Sequence, residues 1–341
     1  MTTGTTSRAS SKGRKGAGKS RRKVIAVTHG PFCLDGLASA ACLGRFYGPE
    51  RVTPVFTHPS DVDQVLRDIG DSPQKPGDLW ITDITWKKPE TEEVFRNLVD
   101  KGWRIFWVDH HTAALDKTDR EIKRMGLTGW VASNRYSAAR LLYDYLVSSP
   151  ELLGRPPAAL KAFRKAVLLA DDNDRWIHRF TGSRRLALTV SSLGGMPMYK
   201  ELLKVSSGMK FTPRMEESYL TACRELSASV TLAKRTRLDR SLNPDGLKVI
   251  TALCMGYTSE VADSLRETLE DDSERVIFLL FNLDDGRVSI RKTPSCQVNL
   301  SDLAGYFGGG GHPAAAGFDL PRARDHLQDY LFSRIEEAMN A

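Results

Sequence analysis

Short apolar runs alternate with segments of helical period from residue 24 onward, the pattern that builds repeated strand–helix–strand units. Residues 24–27, 52–56, 78–82 and 104–108 predict four strands. Val24-Ile25-Ala26-Val27 and Ile105-Phe106-Trp107-Val108 are apolar at every position, which suits strands buried on both faces of a parallel sheet. Helices are predicted at 36–46, 61–69 and 90–101 between the strands and at 137–147 and 158–170 beyond them, the last entered through Pro156-Pro157. A stretch over 213–240 with Lys and Arg on a helical period predicts a long connecting helix, followed by the turn Asn243-Pro244-Asp245-Gly246. A second group of elements comes next. Strands are predicted at 247–253, 275–281 and 287–291, the last two joined through the hairpin-favouring Asp284-Asp285-Gly286, and helices at 259–269, 300–306 and 322–339.

The expected fold is therefore α/β: a parallel-sheet domain with flanking helices over 24–212, a helical connector over 213–243 and a smaller α/β C-terminal domain over 244–341. The length of 341 residues accommodates two cores, since single cores stop growing near ~250–300 residues.

Charge changes this picture less than it first suggests. The formal net charge is +7, but Arg8, Lys12, Arg14, Lys15, Lys19, Arg21, Arg22 and Lys23 all lie in the first 23 residues, which hold no acid. The body thus carries a charge of −1, too little for a polycationic nucleic-acid channel. Residues 1–23, built of Ser, Thr, Gly, Lys and Arg, are expected to be a disordered basic tail. No run approaches the ~20 apolar residues of a membrane span, and no secretory signal is recognisable, so a cytoplasmic protein with no membrane partner is expected. Five widely spaced cysteines without a Cys-x-x-Cys pair fit reduced thiols.

The chemistry gathers at the predicted strand ends. His29, Cys33 and Asp35 follow the first strand, Asp83 the third, and Asp109, His110 and His111 the fourth, while Asp171, Asp172 and Asp174 close a predicted helix. In a parallel sheet these ends face one crevice. Several carboxylates that close repel unless cations neutralise them, and oxygen and imidazole donors suit Mn²⁺, Mg²⁺ or Zn²⁺. Alone, each Asp reads as a helix cap and each His as a satisfied core side chain. As a set they point to metal. Trp86 and Trp176 are candidate stacking surfaces for a base, with packing the plainer role for both; His58 and His178 have no partner in the pattern.

The chain resembles the DHH phosphoesterase superfamily, in particular members with a DHH-associated C-terminal domain such as RecJ-type exonucleases and bacterial oligoribonuclease and bisphosphonucleotide phosphatases. The resemblance rests on His29…Asp35-Gly36, on Trp80-Ile81-Thr82-Asp83, on Asp109-His110-His111, on Asp172 near Trp176, and on Gly308–Gly311 followed by His312-Pro313-Ala314-Ala315-Ala316-Gly317-Phe318. It implies a divalent-metal centre of two ions, typically Mn²⁺, with metal ligands His29, Cys33, Asp35, Asp83, His110 and Asp172, Asp83 bridging the pair. It implies that His111 faces the substrate phosphate and that Asp109 orients the neighbouring imidazole. Asp171 is the neighbouring candidate if the register at that helix end slips by one.

One position departs from the family pattern: Cys33 stands where members with two full metal sites usually carry Asp. Thiolate favours Zn²⁺ or Fe²⁺ over Mn²⁺ and Mg²⁺, so the first site is expected to take a different metal or to be weak or empty. In the second domain, Arg291, Gly309, Gly310, Gly311 and His312 are the expected substrate-binding residues. Four glycines let the backbone approach an anion, although a plain tight turn explains them too.

The function expected from these features is hydrolysis of phosphodiester bonds in short oligonucleotides or small nucleotides by metal-activated water. Two alternatives stay open: a phosphomonoesterase on bisphosphonucleotides or a cyclic-dinucleotide hydrolase, and a nucleotide-binding module whose catalysis Cys33 has impaired. The expected partner is the short oligonucleotide or nucleotide substrate; a homodimer is left open.

Overall fold

The computed structural model describes residues 22–242, 246–269, 271, 273–319 and 323–340. The expected disordered tail therefore lies outside the described residues except for Arg22 and Lys23, and Arg22 is tied down by hydrogen bonds from its guanidinium to the carbonyls of Gly77 (3.3 Å) and Gly102 (3.0 Å). Of the expected turn at 243–246, only Gly246 is described.

The first half runs β1 (Val24–His29), α1 (Leu34–Tyr47), β2 (Val52–Thr57), α2 (Val62–Asp71), β3 (Asp78–Thr82), α3 (Glu90–Asp100), β4 (Arg104–Asp109), α4 (Thr112–Leu115), α5 (Asp119–Arg124) and β5 (Gly129–Ala132). All five strands are parallel, in the order β2-β1-β3-β4-β5. Successive residues of a strand point to opposite faces, and both faces here are covered. Val24, Ala26, Trp80, Phe106 and Val108 pack into one apolar cluster with α1 and later helices, while Ile25, Val27, Leu79, Ile81, Ile105 and Trp107 pack into another with α2, α3 and α5. Trp80 and Phe106 stack at 4.3 Å, an arrangement contributing about 0.5–1.5 kcal/mol beyond area burial. Trp86 belongs to this core: it is 2% exposed and packs edge-on to Phe95 at 4.7 Å, which removes it as a stacking surface for a base.

A helical layer follows: α6 (Ala138–Ser148), α7 (Pro150–Leu153), α8 (Ala158–Ala162), α9 (Arg164–Asp174), α10 (Thr181–Leu193) and α11 (Gly195–Leu202). The single helix expected at 158–170 is two, and the second runs on through Asp174.

Helix α12 (Pro213–Thr236), capped by Thr212 Oγ1 accepting from the Met215 N–H, leads to the second sheet. Its strands are β6 (Leu238–Ser241), β7 (Lys248–Cys254), β8 (Val276–Asn282), β9 (Arg287–Lys292), β10 (Gly310–His312) and β11 (Ala315–Asp319), with α13 (Thr258–Arg266) between β7 and β8, α14 (Leu300–Tyr306) before β10 and α15 (Ala323–Asn340) last. The order is β10-β11-β9-β8-β7-β6, and among these described strands β7 and β8 form the parallel pair. The glycine run is thus partly a strand rather than a simple turn. A side chain at Gly309 would sit 2.2 Å from the Gly317 carbonyl oxygen, and one at Gly311 would sit 2.6 Å from Ala316 Cα, so close approach to β11 requires both glycines. No described helix is long and apolar enough to cross a membrane.

Candidate metal centre

In an open parallel sheet the ligand crevice lies outside the carboxyl ends of the strands, where the strand order reverses. Here the reversal falls between β1, whose helix leads outward to β2, and β3. His29 ends β1, Asp83 follows β3 and Asp109 ends β4, so the topology alone sets these three side by side.

Local backbone aims them. Asp83 sits at φ 59° while its N–H bonds to the Val108 carbonyl, a left-handed conformation that turns its carboxylate back over the sheet edge. Gly36 is required one turn into α1, because a Cβ there would lie 1.9 Å from the His29 carbonyl oxygen. That approach brings Cys33 and Asp35 against the end of β1.

The result includes two donor triplets with no residue in common. His29, Cys33 and Asp83 place one donor atom each within 4.8 Å of one another, and so do Asp35, His110 and Asp174. Asp83 faces both: its Oδ2 is 3.7 Å from His29 Nδ1 and 3.1 Å from Cys33 Sγ, and its Oδ1 is 3.3 Å from His110 Nε2. His110 Nε2 lies 3.9 Å from Asp35 Oδ2 and 3.6 Å from Asp174 Oδ2.

Asp109 is fully buried and belongs to neither triplet, but with Asp83, His110 and His111 it forms a further group of close donor atoms. Its Oδ1 accepts from the His110 N–H (2.7 Å) and meets His111 Nδ1 at 2.7 Å, and its Oδ2 accepts from Thr85 Oγ1. This fixes the His111 ring with Nε2 directed away from Asp109. The ring lies 5.5 Å from that of His312, stacked at 23°, which brings the second domain to the centre.

The electrostatics show what the cluster lacks. Burial pushes Asp35 well above the ordinary carboxylate range, helped by the charges of Asp83 and Asp174, and the same two causes, burial and the Asp83 charge, raise Asp174 to about 6. Asp83 goes the other way: burial would raise it, but hydrogen bonds from His110 and His29 hold it below the ordinary range. Burial would lower His110, yet the Asp83 hydrogen bond and the Asp174 and Asp35 charges lift it to about 10. Burial and then the neighbouring carboxylates, Asp83 first, push the Cys33 thiol up.

A proton on His110 therefore serves as positive charge that the carboxylates need, while the Cys33 thiol stays neutral among them. The buried His110 Nε2 faces three carboxylates with a single N–H, closest to Asp83. A divalent cation fits this donor set better than a proton does, because one ion can serve several donors at once.

The expected ligand Asp172 is not among these residues. Its carboxylate accepts from the N–H groups of Arg179 (2.9 Å) and Phe180 (3.0 Å) and from Ser183 Oγ (2.7 Å), tying down the entry to α10. Asp171, the expected neighbour, accepts from the Ser137 N–H at 2.8 Å. Asp174 faces His110 instead because α9 continues: residues 171 and 174 share a helix face three apart, whereas 172 points elsewhere. Sequence reading also missed the entry to α6, whose Ala138 and Ala139 N–H groups bond both oxygens of Asp35 at 2.7 and 2.9 Å.

In the second domain, β9, β11 and β10 align Arg291 with Ala315 and Ala315 with His312. Directly paired residues project to one face, so a small Ala separates a guanidinium from an imidazole across two strand spacings, about 10 Å. Arg291 is held by Nη2 donating to Ser259 Oγ at 3.0 Å. Burial and the nearby His111 and His110 charges hold His312 below its ordinary value, leaving it a neutral donor. Gly309 and Gly311 are used in sheet packing, whereas nothing lies within 4 Å of a Cβ placed on Gly310. Trp176 is 42% exposed with its ring 4.4 Å from that of His178.

Comparison with known proteins agrees with this architecture. Residues 246–341 match the DHHA1 domain family. The C-terminal segment is thus a DHHA1 domain. It is 24% identical over 249 residues to the oligoribonuclease NrnB of Bacillus subtilis, a match covering 71% of this chain and 59% of that protein, so the likeness spans well under two thirds of the relative. Among solved structures, an exonuclease RecJ bound to manganese superposes with a TM-score of 0.50 at 18% identity, covering 89% of this chain and 87% of that one. The pGpG-specific phosphodiesterase PggH of Vibrio cholerae superposes with a TM-score of 0.49 at 15% identity, covering 93% of this chain and 99% of that one. The fold is shared with the RecJ structure.

Proposed function

We propose that the chain is a metal-dependent phosphodiesterase acting on short oligonucleotides or small nucleotides. The observation that carries this reading is Asp83, which turns one carboxylate oxygen to each donor triplet while His111, beside it, meets His312 of the second domain. His29, Cys33 and Asp83 would hold one ion, and Asp35, His110 and Asp174 with Asp83 the other. Divalent ions held there supply Lewis acidity toward phosphoryl oxygens and an activated water.

The residues of the chain supply position and charge. Burial opposes the charge on His111, but its hydrogen bond with Asp109 raises it above the ordinary histidine value, so it presents a positive donor to a phosphoryl oxygen. His312 and Arg291, in line on the facing sheet, would hold a neighbouring phosphate, the guanidinium gripping two oxygens. A cleft that joins a reacting centre to a second phosphate site suits a chain end or a dinucleotide. The oligoribonuclease name of the Bacillus relative supports the same substrate class, and the near-neutral body argues against a long nucleic-acid track.

The test is hydrolysis of end-labelled di- to pentaribonucleotides and of an aryl phosphodiester by the purified chain with Mn²⁺, Mg²⁺ or Zn²⁺. Mononucleotide release that a chelator abolishes and added metal restores is expected. Binding of nucleotides without turnover in any of the ions would overturn the reading in favour of a binding module.

A further inference from the structure

The two donor triplets differ in chemical softness, and that difference has its own consequence. One is built of a carboxylate, an imidazole and a thiol, the other of two carboxylates and an imidazole. Soft thiolate selects Zn²⁺ and Fe²⁺, whereas carboxylate-rich sets suit Mn²⁺ and Mg²⁺.

Cys33 is set apart from the other cysteines. Cys42, Cys254 and Cys296 are buried members of apolar clusters, and Cys223 lies on α12 away from the centre. The Cys33 thiol instead points at Asp83 Oδ2, 3.1 Å away, with His29 Nδ1 3.7 Å from the same oxygen. These separations bracket the ~3.5 Å edge expected between donors about 2.0–2.3 Å from a tetrahedral ion.

The thiol is also held in place. Its loop is pinned by the Gly30 N–H on the Thr57 carbonyl (3.2 Å) and by the Pro31 carbonyl accepting from the Gly195 N–H (2.7 Å). The Gly36 N–H, in the first turn of α1, points at Sγ from 3.5 Å and helps to fix the side chain. Besides capping α1, the thiol thus faces Asp83 Oδ2, the same oxygen that His29 faces.

Resting on the metal centre proposed above, we propose that the two halves of the centre take different metals: a thiophilic ion, Zn²⁺ or Fe²⁺, on His29, Cys33 and Asp83, and a hard ion, Mn²⁺ or Mg²⁺, on Asp35, His110 and Asp174 with Asp83 between them. The protein is then a mixed-metal hydrolase, and full activity needs both classes of ion together.

The test uses the full chain, stripped of metal and dialysed against excess Mn²⁺ with trace equal Zn²⁺ and Fe²⁺. Elemental analysis is expected to find the thiophilic and hard ions in about equal amounts per chain, and Cys33→Asp to shift the content to Mn²⁺ alone. Co²⁺ titration gives a second readout. Wild type is expected to develop a near-ultraviolet thiolate-to-cobalt charge-transfer band that Cys33→Ser and Cys33→Asp lack, with circular dichroism unchanged. A chain that binds only Mn²⁺, or binds Co²⁺ without the band, would overturn the proposal. Chelator-sensitive hydrolysis by that same Mn²⁺-only chain would leave the phosphodiesterase reading standing.

Discussion

Strand β3 begins at one buried aspartate and ends beside another, and the two live in opposite surroundings. Asp78 is fully buried and is gripped in two parallel hydrogen bonds by Arg104, Nε to Oδ1 at 2.8 Å and Nη2 to Oδ2 at 2.6 Å. Asp83, 2% exposed, has no Arg or Lys partner among the described residues and shares its space with Asp35, Asp174 and three imidazoles. At the amino end of the sheet a charge is matched within the protein; at the carboxyl end the charges are left for something else to match. A folded chain tolerates the second arrangement only where the imbalance serves a ligand.

The largest effect that tests this contrast is at Asp83. Asp83→Asn keeps shape but removes the charge that both triplets share. Hydrolysis is expected to fall by more than the ~10–100-fold typical of disturbing a group that merely supports a ligand, with bound metal lost and the melting temperature held or raised, since like-charge repulsion with Asp35 and Asp174 is relieved. Activity near wild type would remove the metal centre itself.

Next in size is a contrast within α9. Asp174→Asn is expected to cost about 10–100-fold in activity by weakening one ion, whereas Asp172→Ala is expected to leave turnover per folded molecule intact and to cost about 1 kcal/mol through the lost tie to α10. Metal titration and urea unfolding of both variants separate the two. The reverse pattern would return the ligand role to Asp172.

The contrast also explains what could be read from sequence. Strands β1, β3 and β4 were legible because burial on both faces demands unbroken apolar runs, and His29, Asp83 and the Asp109-His110-His111 cluster were legible because they close those runs. Strand β5 was not, being four residues at the sheet edge with three of them only half-buried. Sequence put Asp172 rather than Asp174 beside His110 because Leu168-Leu169-Ala170 reads as the end of an apolar face, while the helix continues on polar residues whose bonds come from α6 and α10. Those partners are tertiary, and nothing within the segment Asp171-Asp172-Asn173-Asp174 distinguishes its three carboxylates. The glycine run carried the right emphasis for an incomplete reason, since Gly309 and Gly311 answer to β11.

Asp78→Asn gives the converse of the Asp83 test. It leaves Arg104, itself about one third exposed, without its anion, and a loss of about 3 kcal/mol is expected, the low end for a broken buried pair. Turnover of the folded enzyme at saturating metal is expected within twofold of wild type, roughly the scatter of uncoupled sites. A metal-dependent defect in this variant would mean that the two ends of β3 are not separate.

The last effect expected is in pH. His110 is raised to about 10 in the ion-free protein, so its stabilising contribution is fully present below the ordinary histidine value and is lost as pH rises through about 10. Between those limits Nε2 must release its proton before it can serve as a ligand. Metal binding is therefore expected to expel a proton and to tighten with pH, by up to about tenfold per unit for each proton released. Asp174, raised to about 6, adds a second proton below that value, so the slope should steepen towards acid. Calorimetric titration of Mn²⁺ in buffers of different ionisation heat counts the protons directly. Asp83→Asn removes the His110 hydrogen bond that lifts this imidazole, so the alkaline part of the slope should flatten in that variant. A slope unchanged there would show that the proton displaced by metal does not sit on His110.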